Sequence, residues 1–124
     1  MARILVIEDS DPIRSFLRDT LEFAGHTVIE ARNGHEGLAL LPHRTVDLVI
    51  TDIVMPEMEG FEVLREVRRT DPGMKIIAIS GAGPDGGTNY LQTAKLMGAG
   101  KVLTKPFSVD VLLAAVNDLL PEGR

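Results

Sequence analysis

This sequence predicts an α/β sandwich built on a parallel sheet, and three observations lead there. Short apolar, largely β-branched runs recur at residues 4–7, 27–29, 47–51, 75–79 and 102–103. The clearest of them are continuous rather than alternating, as in strands covered on both faces. Between the runs lie segments of helical period, so strand and helix alternate five times, which implies parallel strands joined by right-handed crossovers with helices on both sides. At 124 residues the chain is read as one domain, 1–124, large enough for a core without staples.

Each element has its own local cause. Ile4, Leu5, Val6 and Ile7 make the first strand. Ser10 or Asp11 can cap the helix that follows, and Pro12 suits its first turn, where a missing N–H costs nothing. Ile13, Phe16, Leu17, Leu21 and Ala24 form its apolar face, and Gly25 can close it. After the second strand, Asn33 and Glu36 resemble a capping box for a helix through Leu38, Leu40 and Leu41, ended near Pro42. The third strand runs into Asp52. Phe61, Leu64 and Val67 then space a third helix, and Asp71-Pro72-Gly73 turns the chain into the fourth strand, with Ser80 at its end. Residues 81–87 carry four glycines and Pro84 and read as a loop. Leu91, Ala94 and Met97 belong to a fourth helix closed by Gly98. Ser108 can cap a fifth, whose apolar face is Val109, Leu112, Leu113, Val116, Leu119 and Leu120.

Composition removes several function classes. The chain has no cysteine, so thiolate catalysis, thiolate zinc sites and disulfides are excluded. Net charge is −5 with no basic cluster beyond Arg68-Arg69, and aromatics are four Phe and one Tyr, which argues against direct nucleic-acid binding. The four-residue apolar run near the start is too short for a signal peptide or membrane span, so a cytoplasmic location without membrane attachment is expected. The glycines do not fall in a nucleotide-binding order. His26, His35 and His43 lie at element margins away from the polar strand ends, which disfavours a Ser-His-Asp site.

Those strand ends carry the chemistry. Glu8 and Asp9 close the first strand, Asp52 the third, Ser80 the fourth and Lys105 the fifth. In a parallel sheet of order 2-1-3-4-5 the first and third strands are neighbours, so three carboxylates gather at one edge, where ligands of open α/β sheets bind. Alone, any of these residues is an ordinary strand-end cap or ion pair. Together the carboxylates repel each other unless a hard cation joins them, and Mg²⁺ accepts one or two carboxylates with further oxygens, among them the Val54 carbonyl. Lys105 and the Ser80 hydroxyl would then neutralise a phosphoryl group carried by Asp52 as nucleophile.

At this point the chain resembles the receiver domain of two-component response regulators, particularly the single-domain chemotaxis type. The matching stretches are ILVIEDS, DLVITDIVMPEMEGFEVL, IIAIS and GAGKVLTKPF, and together they span essentially the whole chain. The resemblance implies a flavodoxin-like (βα)5 fold with strand order 2-1-3-4-5. It implies Asp52 as phosphoacceptor, with Lys105 and Ser80 assisting. It further implies Mg²⁺ held by Asp9, Asp52, Glu8 through water and the Val54 main-chain carbonyl, and a cis Lys105-Pro106 bond. The phosphoryl donor would be a sensor histidine kinase or a histidine phosphotransfer protein. The downstream protein partner would bind the face made by the fourth helix, fifth strand and fifth helix. The protein itself would be no enzyme beyond assisting its own phosphotransfer and slow dephosphorylation, and would be a monomer or weak dimer.

Three departures from that family carry expectations. Val102 stands where relatives often have Tyr or Phe, so signalling is expected to rely on helix and loop shifts rather than an inward-swinging ring. The stretch between Ser80 and Lys105 is longer, with residues 83–87 as the insertion, so the fourth helix is expected to start late or be mobile. Val54 cannot orient a water, which implies slow loss of phosphate. Two alternatives remain at this level. One is an aspartyl-phosphate phosphohydrolase of the haloacid dehalogenase type, although its second motif Asp is replaced here by Val54. The other is a receiver portion of a longer regulator or hybrid kinase; a stand-alone module is the leading expectation.

Overall fold

The computed structural model describes residues 2–43, 45–53, 60–81, 94, 95 and 97–120. Its strands are β1 (Arg3–Ile7), β2 (Thr27–Ala31), β3 (Leu48–Asp52), β4 (Lys75–Gly81) and β5 (Lys101–Lys105), all parallel and ordered β2-β1-β3-β4-β5. Its helices are α1 (Asp11–Phe23), α2 (Gly34–Leu40), α3 (Gly60–Thr70) and a C-terminal helix (Val109–Leu119), with a 3₁₀ turn at Leu41–His43. Both the parallel sheet and its order match the expectation.

The continuous apolar strands divide their side chains between two cores. Ile4, Val6, Leu48, Ile50, Ile77 and Ile79 pack with Leu17 and Leu21 of α1 and Leu112 and Val116 of the C-terminal helix. The alternate residues Leu5, Ile7, Val49, Ile76 and Ala78 pack with Val63, Leu64 and Val67 of α3. The period of two sends neighbours to opposite faces, and each face finds a helix layer.

The predicted caps are in place. Ser10 accepts from the Ile13 N–H at 3.4 Å and Ser108 from Val111 at 3.1 Å. Asn33 accepts from Glu36 N–H at 2.8 Å, but Glu36 reaches back to Arg32 N–H at 2.9 Å, one residue before the cap, so the capping box is displaced by one. Gly25 and Gly98 take φ of 97° and 103°, the left-handed conformation that lets a helix end in a sharp turn.

Several boundaries differ from the sequence reading. The second helix ends at Leu40 and tightens into the 3₁₀ turn, and the strands extend into polar residues because ladder bonding does not require apolar side chains. Asp52 is therefore the last residue of β3 rather than the first beyond it. Val109, assigned to the apolar face of the last helix, is 43% exposed and lies beside Asp19, Thr20 and Phe23 of α1. The insertion at residues 83–87, the start of the fourth helix and the Val54 carbonyl lie outside the described residues. No helix among the described residues is long and apolar enough to cross a membrane.

Candidate functional site

Parallel register places the polar strand ends on one edge. Ile7, the last residue of β1, pairs with Thr51, so Glu8 and Asp9 leave β1 beside Asp52 at the end of β3. Asp52 pairs with Ile79 of β4, putting Ser80 one step further along, and Gly81 pairs with Lys105 of β5. Carboxylate oxygens of Glu8, Asp9 and Asp52 all lie within 4.8 Å of one another.

The charges meet there directly. Lys105 Nζ donates to Asp52 Oδ2 at 2.7 Å and lies 3.1 Å from Glu8 Oε1. Glu8 is 1% exposed and Asp52 5%, whereas Asp9 is exposed. Glu8 Oε2 accepts from Ser10 N–H at 3.0 Å, while Oε1 is the oxygen that faces the Lys105 ammonium. Burial chiefly, helped by the Asp52 charge, pushes the Glu8 carboxyl up to about 7, although the Ser10 N–H and Lys105 oppose it. At Lys105 burial pulls the pKa down, yet the bond to Asp52 and the charges of both carboxylates outweigh it and the pKa is raised. Two buried carboxylates share one ammonium, with the exposed Asp9 carboxylate close by, so the cluster holds more negative charge than Lys105 neutralises. That donor set suits a hard divalent cation.

The Ser80 hydroxyl is buried and donates to the Gly81 carbonyl at 3.3 Å. The Lys105-Pro106 bond is cis, as the resemblance implied. Val102 is partly buried against the α3-side core, opposite Ala78 in the register. A cleft of about 290 Å³ beside Lys105, lined by Pro12, Ile13, Phe16, Pro106 and Phe107, is apolar and holds none of the carboxylates. His26 lies at the other end of the sheet, its Nδ1 accepting from Ala2 N–H at 3.2 Å, consistent with the exclusion of a histidine-based site.

Two residues that sequence reasoning did not single out support this edge. Gly60, at the start of α3, packs so close that a Cβ there would fall 2.2 Å from the Asp52 carbonyl oxygen and 2.4 Å from Ile53 Cα. Arg14 donates to the Glu8 carbonyl at 2.9 Å. Neither follows from periodicity; the pair Arg14 and Arg18, one turn apart on α1, was the available signal that this helix faces an acidic strand.

Comparison with known proteins agrees with this geometry. The family model for the response regulator receiver domain matches residues 4–117. Among curated proteins the chain is 38% identical over 121 residues to the sensor kinase CckA of Brucella abortus (strain 2308), covering 96% of this chain and 12% of that kinase. It is 37% identical over 120 residues to protein PilH of Pseudomonas aeruginosa, covering 97% of this chain and 98% of PilH. It spans only 27% and 53% of the matching transcriptional regulatory proteins GlrR and AfsQ1. Among solved structures, the response regulator receiver domain protein of Clostridium thermocellum superposes with a TM-score of 0.89 at 33% identity, covering 96% of this chain and 94% of that one.

Proposed function

The chain belongs to the receiver domains of two-component response regulators, and on that premise we propose that Asp52 accepts a phosphoryl group from the phosphohistidine of a partner sensor histidine kinase or histidine phosphotransfer protein. One observation carries the reading: a single ammonium, Lys105, bridges Asp52 Oδ2 at 2.7 Å and Glu8 Oε1 at 3.1 Å inside a cluster of three carboxylates. A carboxylate oxygen of Asp52 attacks phosphorus, the P–N bond breaks, and the imidazole leaves with the electron pair and takes up a proton. The Lys105 ammonium moves from pairing a carboxylate to pairing a phosphoryl oxygen. The Ser80 hydroxyl, released from the Gly81 carbonyl, donates to another.

Glu8, Asp9, Asp52 and the Val54 carbonyl would hold Mg²⁺, whose contribution is to neutralise the charge gathered at the transferring group. Phosphorylation adds roughly −1.5 to −2 charge at this edge. Of the two arrangements open to Ser80 and its backbone, the added oxygens favour one, and the readout is a cytoplasmic protein docking on the face of residues 90–95, 101–102 and 109–117. Neither nucleic acid nor membrane is a partner, and the molecule works as a monomer or weak dimer. The haloacid dehalogenase reading gains no support from any feature of the site.

The test is incubation with Mg²⁺ and a small phosphodonor, followed by mapping of the base-labile modification by mass spectrometry. Label on Asp52, absent in Asp52→Asn and with chelator, is the expected result; label elsewhere, or undiminished in Asp52→Asn, overturns the assignment. In the same assay Val54→Asn should shed its phosphate faster than the parent, because an amide can orient the attacking water; equal lifetimes would remove Val54 as the cause of slow loss.

A further inference from the structure

Arg14 has no place in the chemistry above, yet it is tied into the edge that performs it. Its side chain is only 13% exposed. Nη1 donates to the Glu8 main-chain carbonyl at 2.9 Å, Nε to Glu30 Oε1 at 3.2 Å, and Nη2 to the Asp11 carboxylate. One planar guanidinium thereby joins the end of β1, the start of α1 and β2. Glu8 is fixed on its other side as well, its N–H donating to the Ala31 carbonyl at 3.0 Å and its Oε2 accepting from Ser10 N–H.

The peptide held by Arg14 is the one that links Glu8 to Asp9. Its plane sets the direction in which Asp9 leaves the strand, and hence the spacing of both carboxylates from Asp52. These groups repel one another, so an untethered loop would relax by moving them apart. Resting on the reading of this trio as a cation site, we propose that Arg14 is a positioning residue for it: the guanidinium fork locks the Glu8-Asp9 peptide so that the carboxylates stay gathered before a cation arrives. Lysine cannot replace it, because a single ammonium lacks the fixed fork that meets a carbonyl and two carboxylates in one plane. Arg18 supplies the contrast. It pairs with the same Glu30 at 3.3 Å and with Asp19 at 3.1 Å; its described bonds do not include Glu8.

Coulomb's law and positioning predict opposite signs here. Removing a cation near a carboxylate cluster should by charge alone tighten cation binding; losing the tether should weaken it. Mg²⁺ is titrated into the full chain by calorimetry for the parent, Arg14→Ala, Arg14→Lys and Arg18→Ala, with melting temperatures recorded in its absence. Arg14→Ala should weaken Mg²⁺ binding about tenfold, the usual scale for groups that orient a metal's ligands. Arg14→Lys should weaken it severalfold while melting near the parent, and it carries the test if Arg14→Ala does not fold. Arg18→Ala should match the parent. In phosphodonor labelling, the Mg²⁺ concentration for half-maximal rate should rise in the same proportion, and the rate at saturating Mg²⁺ should return towards the parent's. Arg14→Lys binding as tightly as the parent, or Arg14→Ala binding more tightly, overturns the proposal. A parent that takes no Mg²⁺, or a Glu8→Gln variant that binds it undiminished, instead overturns the cation site itself.

Discussion

Glu8 is a carboxylate that is 1% exposed and pairs with an ammonium it must share with Asp52, so as an anion it is costly until more positive charge arrives. Its pKa of about 7 expresses that cost, with burial as the main cause. An acid whose folded pKa is raised holds more protons in the native state than in the unfolded one. Its contribution to stability is thus complete below the unfolded value of 4.5 and is lost as pH rises through about 7. In the absence of divalent cations, Glu8→Gln should therefore gain on the parent between pH 5 and 8, by up to about 3 kcal/mol, read from paired urea denaturation curves. A cation reverses the preference because it binds the ionised form and releases the proton. The parent's Mg²⁺ affinity should rise several-fold from pH 6 to 8 and flatten above, while Glu8→Gln shows weak binding with little slope. Parallel pH curves for the two proteins would contradict the assignment of Glu8 to the cation.

At the scale of elements, α3 begins almost on top of the strand that ends in Asp52. A side chain at Gly60 would collide with the backbone of Asp52 and Ile53, which cannot step aside without moving the carboxylate. Gly60→Ala should cost about 1–3 kcal/mol by overpacking and slow phosphodonor labelling of Asp52 together with it. Gly37→Ala offers the comparison: its Cβ would meet Ile7 Cδ1 at 2.4 Å and Cγ1 at 2.6 Å, atoms of a buried side chain rather than the backbone that carries Asp52, and alanine is worth up to about 1 kcal/mol over glycine within a helix. Whatever its cost in stability, its labelling rate should stay near the parent's; equal slowing of labelling in both variants would undercut the argument. This contrast also marks what the sequence could disclose. The strands, the caps at Ser10, Asn33 and Ser108, and the residues Glu8, Asp9, Asp52, Ser80 and Lys105 were legible because each interrupts an apolar pattern at its end. Gly60 and Arg14 were not, because each matters through a main-chain group more than one helical turn back, the backbone of Asp52 and Ile53 or the Glu8 carbonyl, which side-chain periodicity does not register. The exposure of Val109 was missed because helical period identifies a face but not how far the first turn of that face is covered.

Among the described residues, polar side chains bond at both ends of the one sheet, and the two ends answer pH in opposite directions. At the carboxyl end the acidic trio faces Lys105. At the amino end Asp47 Oδ2 accepts from Arg3 N–H at 2.9 Å and His26 Nδ1 from Ala2 N–H at 3.2 Å, so side chains satisfy backbone donors where β1 begins. Burial lowers the His26 pKa from 6.5. A base with a lowered folded pKa binds fewer protons in the native state. Its contribution is full above the unfolded value and is lost as pH falls below it, because the protonated ring no longer offers Nδ1 as an acceptor. As pH falls from 7 to 5 the parent should thus gain from Glu8 and lose from His26, and its melting temperature should rise less than Glu8 alone would dictate. His26→Gln, which keeps an acceptor that does not titrate in this range, should remove the acid-side loss, worth no more than a few degrees in melting temperature. It should leave Mg²⁺ affinity and Asp52 labelling at parental values, because the sheet's length separates it from the acidic trio. Glu8→Gln should do the reverse, abolishing the opposite slope and weakening the cation site. Melting curves of both single variants and the double variant at pH 5, 6 and 7 check this, since groups this far apart should contribute additively. A His26→Gln protein with altered Mg²⁺ affinity would mean that the two ends of the sheet are coupled.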